Sequence, residues 1–348
     1  MQLAIRLLSL SLCLSLVTYV AVHAEANSSH TSAKHIGKID ITDLILGNTS
    51  GSCIDYVNNY VSSVTDIQNK KQFSGKLDIQ YKQDTCTINS NNIPNHNFND
   101  ENARFVTPVT EIAQEFVIPI KPTLADNPTP LGHRSYQAVM LNGVVVDILS
   151  AGCYRPDGKR TDKYGNVKIG CKPNDKWVTD PLGPGAGFGT DEHNAHVQPG
   201  GVYHYHGNPM ALFDQTPTKQ GSPVIGFAAD GFPIFGSFFK DEDGKVRKAQ
   251  SGYSLKNGQR PKSESDPGGQ YDGMYIDDYE FTAHGDLDQC NGMTVNGQYG
   301  YYVTDVYPWI LACLSGEPEP SFNKKRRGRE QNSGINRPNK QKKNTDNF

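Results

Sequence analysis

The stretch GGVYHYHGNP, residues 200–209, decides how this chain is read. Tyr203, His204, Tyr205 and His206 stand in strict succession between a glycine pair and a Gly-Asn-Pro. In a strand, successive side chains point to opposite faces, so His204 and His206 share one face and Tyr203 and Tyr205 the other. On a helix the same spacing would turn the two imidazoles nearly opposite each other. The quartet therefore predicts a strand with one histidine face and one tyrosine face.

Just upstream, TDEHNAHVQPGG adds Asp191, Glu192, His193 and His196, so four histidines fall within fourteen residues. Neutral imidazole suits first-row metals such as zinc and copper, and carboxylates complete such sites. His204 and His206 would stand roughly 6.5 Å apart along the strand, close enough for both to reach one ion. A third ligand would come from His193 or His196 across a hairpin, and a fourth from Asp191, Asp230, His284 or water. Buried His and Tyr also build purely structural hydrogen-bond networks, and that reading stands beside the metal one. Tyr203 and Tyr205 are expected in the core or across the strand pair. In AADGFPIFGSF, Asp230 is a turn former by default, with a ligand or general base as the sharper role.

Outward from the quartet, short apolar runs alternate with turn chemistry from about Ile93 onward: QEFVIPIKP, SPVIGFAADGFPIFGSF, YGYYVTDVYPWILAC. Asn142-Gly143 between AVML and VVVDI signals a two-residue hairpin turn. With 34 glycines, 21 prolines and 17 tyrosines in 348 residues, the chain reads as mainly β, a sandwich or barrel-like disulfide-stabilised domain with long loops. Before that, GKLDIQYKQDTCTI alternates like strands, CIDYVNNYVSSVTDI fits a short helix or a strand pair, and residues 25–92 form a region of uncertain structure.

The first 24 residues, with Arg6, an apolar run and Val22-His23-Ala24, read as a cleaved secretory signal rather than a membrane span. A secreted, extracellular chain without a membrane span follows. Its six remaining cysteines, Cys53, Cys86, Cys153, Cys171, Cys290 and Cys313, argue for three disulfides; fifteen connectivities are open, of which pairing in chain order is one. Asn27 and Asn48 sit in glycosylation acceptor motifs. Residues 317–348 read as a disordered basic tail: from Ser321 onward nine Lys/Arg face two acids, net +7, leaving −10 on the rest of a chain of net −3. Such a tail reads as a solubilising terminus, or as one that suits a polyanionic matrix or polysaccharide or is removed by proteolysis at KKRRGR; a nucleic-acid role does not fit behind a secretory signal. No Gly-x-Ser-x-Gly elbow, phosphate loop or spare cysteine is present, so serine, phosphate-cradling and thiol chemistries lack support.

The segments IPNHNF, AVMLNGVVVD, NAHVQPGGVYHYHGNP, IGFAADGFPIFGSF, GDLDQCNGM and YGYYVTDVYPWILACLSG, taken in this order, resemble the YHYH-domain family over residues 93–316. The resemblance places His196, Tyr203, His204, Tyr205, His206, Asp230, Asp286, Asp288, Cys290, Asn291 and Cys313 at motif positions and favours a Cys290–Cys313 pair. It supplies no reaction. Met293 departs from the arginine expected there; if that position binds an anion in the family, its loss here weakens an enzyme reading. The function expected is a secreted protein binding one divalent metal, zinc or copper, through His204, His206, His196 and His193. Tyr203, Tyr205, Asp230 and Asp191 would line the pocket. One alternative is a structural or binding constituent of an extracellular, even mineralised, matrix, and another a soluble carbohydrate- or ligand-binding module.

Overall fold

The computed structural model describes residues 37–325 except 173, 174 and 218. It is mainly β, and neither of its two large sheets closes into a barrel. The first sheet runs in chain order through Ile39–Asp40, Asn58–Asp66, Lys71–Lys82, Thr85–Ser90 and Gln114–Pro119. The alternation read in GKLDIQYKQDTCTI is thus realised, and Cys53–Tyr56 makes only a 3-10 turn before its strand.

The second sheet has eight strands. Its spatial order is Ala195–Gln198, Val202–Tyr205, Val145–Val146, Ala138–Met140, Val224–Ala228, Pro233–Phe235, Gln298–Tyr302 and Gly292–Val295. The quartet strand is therefore second from one edge. It pairs antiparallel with Ala195–Gln198 and parallel with Val145–Val146.

The hairpin at Asn142-Gly143 forms, but its turn differs from the two-residue form expected. The Gly143 N–H donates to the Met140 carbonyl, which puts Leu141 and Asn142 at the centre and Gly143 just after them, at φ 84°. A Cβ on Gly143 would lie 2.7 Å from that of Ser90, so this left-handed residue has to be glycine. Asn142 is instead drawn inward, where its amide donates to the Tyr205 hydroxyl.

Both sheets contribute to one hydrophobic core. Phe98 packs against Tyr203 at 5.3 Å and Tyr56 against Phe227 at 5.8 Å between ring centroids. Polar stitches cross the same boundary: the Asn92 amide donates to the Tyr203 carbonyl and accepts from the Val145 N–H. The three disulfides are Cys53–Cys86, Cys153–Cys171 and Cys290–Cys313, the chain-order pairing.

The basic tail begins later than residue 317. The segment up to Lys324 is seated on the body, because Phe322 is buried against Phe116 and the Lys324 ammonium donates to Asp147 at 2.6 Å. Residues 326–348 lie outside the described residues, as do residues 1–24, read from the sequence as a signal, and Asn27. Asn48 is described and exposed. Among the described residues no helix is long and apolar enough to cross a membrane.

Candidate metal centre

The quartet strand presents its two faces as alternation requires. Tyr203 and Tyr205 are fully buried toward the shared core, and the Tyr203 hydroxyl donates to Asp191 at 2.7 Å. His96 Nδ1 lies 2.8 Å from the Asn97 carbonyl, which can only accept, so that nitrogen carries the proton. His96 Nε2 therefore accepts from the Tyr205 hydroxyl at 2.6 Å.

On the opposite face the antiparallel register sets His196 directly across from His204. His206 lies one residue beyond the strand and continues the pairing, its N–H donating to the Asn194 carbonyl at 2.9 Å. Three imidazoles thus converge. His206 Nε2 is 3.1 Å from His204 Nε2 and 3.2 Å from His196 Nε2. One ligand atom from each ring lies within 4.8 Å of the others.

The other ring nitrogens explain this orientation. His204 Nδ1 meets the Val202 carbonyl at 3.0 Å and His206 Nδ1 the Ile148 carbonyl at 3.1 Å. Carbonyls only accept, so both Nδ1 atoms carry hydrogen and both Nε2 atoms expose lone pairs. The Phe188 backbone holds His196 in a hydrogen bond that favours its protonated form, so the carbonyl is the acceptor there too. Lone pairs this close repel each other. Ligands about 2.0–2.1 Å from a tetrahedral ion stand about 3.3 Å apart, close to the spacing found.

Burial keeps these rings neutral. His204 and His206 are 2% exposed, and desolvation, followed by the neighbouring imidazoles, holds both well below the ordinary histidine range. Desolvation lowers His196 to about 4. Neutral imidazole is the form a metal binds. The donor set therefore fits a borderline first-row ion such as zinc or copper(II).

His193 does not join this group. Its ring lies against His96, 3.9 Å between centroids, and its Nδ1 is buried with no hydrogen-bond partner. Asp191 serves the tyrosine side, accepting from Tyr203 and from the His193 and Ala195 N–H groups. Burial raises it to about 6, against the hydrogen bond from Tyr203. Asp230 accepts locally from the Phe232 N–H, and from the Tyr301 hydroxyl and the Gly316 N–H, which tie its loop to distant segments; it does not reach the three histidines. Asp286 forms a two-pronged ion pair with Arg247, and Asp288 accepts from the Cys290 and Gly292 N–H groups. Met293 packs against the hydrophobic core, and His284 is exposed. Cys153 and Cys171 lie beside Asp175, but their disulfide leaves no thiolate to bind a metal.

Several contributors carried no sequence signal. Ile148 and Val202 act through backbone carbonyls, which any residue provides. Phe188 covers the triad, its ring 5.6 Å from that of His196 and 6.1 Å from that of His206. It belongs to the strap PGAGFG, where the alternating glycines were the only available hint. Lys324 adds positive charge that further opposes protonation of His204 and His206.

No curated protein and no solved structure matches this chain. A family model described as YHYH protein matches residues 115–316, a segment that holds the strap, all three converging histidines and all eight strands of the second sheet. That match spans more than half of the 348 residues, and the chain belongs to the YHYH protein family.

Proposed function

We propose that this is a secreted metal-binding protein whose single ion, zinc or copper, is held by His196, His204 and His206. The observation that carries the reading is the convergence of three ring nitrogens within 4.8 Å of one another, His206 Nε2 standing 3.1 Å from that of His204 and 3.2 Å from that of His196, with the Nδ1–H of His204 and His206 spent on backbone carbonyls. Three neutral ligands leave the ion's full charge in a buried site and a coordination position for water or an external ligand. An ion held there would acidify a bound water, the chemistry of metal-assisted hydrolysis.

The test is metal analysis of the secreted, untagged chain after exposure to zinc and copper. We expect about one ion per chain in the wild type and none in a folded His204→Ala/His206→Ala variant. A wild type that takes up no metal would leave the histidines as a structural network.

The matrix reading keeps one support of its own, the +7 of the C-terminal segment against −10 elsewhere. Deposition into an insoluble matrix that is unchanged in the double variant would favour it.

A further inference from the structure

Beside the triad lies an open cleft of about 540 Å³, within the roughly 300–1,000 Å³ of small-molecule sites. Phe188 and Asn194 belong both to its lining and to the surroundings of the histidines. From its composition we infer that it binds a neutral oligosaccharide.

Charge narrows the ligand first. Among the described residues no lysine or arginine lines the cleft, so a phosphate, sulfate or carboxylate ligand finds no counter-charge in that lining. The one carboxylate in the lining, Asp305, is already paired with Lys248. A cation therefore gains little there.

Polarity narrows it again. The glycines of the strap expose backbone amides and carbonyls, and the half-buried Asn194 adds a side-chain amide, which an apolar ligand would have to desolvate without return. Asn208, 6% exposed, is held in the lining by donation from its amide to Gln215 at 3.0 Å.

The remaining wall is flat and apolar. Trp309 presents its indole, fixed at the edge by donation from Nε1 to both oxygens of Asp180 at 3.0 and 3.1 Å. Met210 and Phe188 complete that wall. A ligand with many hydroxyls and a flat C–H face, and no charge, is a sugar ring; an aromatic wall that is apolar on its face suits it. This inference is independent of the metal, because none of the three ligating histidines lines the cleft.

The protein carries only two tryptophans, so its fluorescence reports directly on Trp309. The other, Trp177, is buried against Tyr275. We would titrate the secreted chain with tetrasaccharides of β-1,4-glucose, β-1,4-N-acetylglucosamine, β-1,4-mannose and α-1,4-glucose, with a heparin tetrasaccharide and tetraglycine as comparators. The expected result is saturable binding of at least one neutral sugar with a change in emission, weakened at least about tenfold in Trp309→Ala. Should that variant fail to fold, Met210→Ala, at an exposed position in the same wall, takes its place with the same expectation.

The His204→Ala/His206→Ala variant should retain sugar binding, so loss of the metal reading and loss of this one are separate outcomes. Binding of the heparin or peptide comparator alone, binding untouched by every cleft substitution, or no response to any neutral sugar would each overturn the inference.

Discussion

His193 and His196 are three positions apart, yet they serve opposite sides of one hairpin. Asn194 takes φ 58°, and the strand that starts at Ala195 then sends His196 to the face of His204. His196→Ala should therefore weaken metal binding by more than about 100-fold in a chelator competition, while His193→Ala leaves the stoichiometry at one. Across the strand, His96 is buried as a neutral ring, and desolvation lowers it to about 3. The unfolded chain takes up that proton near pH 6.5, the folded one only near 3. Stability should thus fall through this window on acidification, by up to about 1.4 kcal/mol per pH unit from this residue. Asp191, raised to about 6, acts in the other direction between that pH and the ordinary carboxylate value. In urea denaturation of the metal-free protein, His96→Gln should lose less stability than the wild type between pH 6.5 and 4; equal slopes would contradict this account.

The strap across residues 183–189 is the element that joins triad and cleft. Its end is pinned where the Arg104 N–H donates to the Gly189 carbonyl at 2.8 Å. Gly189 has φ 67°, and a Cβ there would fall 2.5 Å from that of Arg104. Gly189→Ala must shift the strap, and with it the Phe188 carbonyl that orients His196. We expect metal affinity to drop by about 10- to 100-fold with the overall fold retained, the scale on which supporting groups act. Unchanged affinity in a folded variant would mean that the strap does not orient His196. The quartet strand, by contrast, gains its precision from pairing on both edges, with Ala195–Gln198 on one side and Val145–Val146 on the other.

At the scale of the molecule, the family match starts at residue 115, but the tyrosine face of the quartet is packed by residues before it. Asn92 bonds the Tyr203 backbone, His96 the Tyr205 hydroxyl, and Phe98 the Tyr203 ring. A chain cut to residues 115–325 would expose that face and leave the fully buried Tyr203 and Tyr205 without their cover. It should show no cooperative thermal transition, whereas residues 37–325 should; a sharp melt of the shorter chain would show that the larger sheet folds alone. The sequence by itself determined the mainly β character, the two-faced quartet and an even cysteine set, because alternation, turn residues and cysteine count are local properties. Which histidine joins His204 and His206 depended on hairpin register, and the tyrosine partners, the strap and the cleft depended on residues about 100 positions apart meeting. Backbone carbonyls orient the rings and leave no mark on residue identity, so only the tertiary structure decided that the three imidazoles face one point.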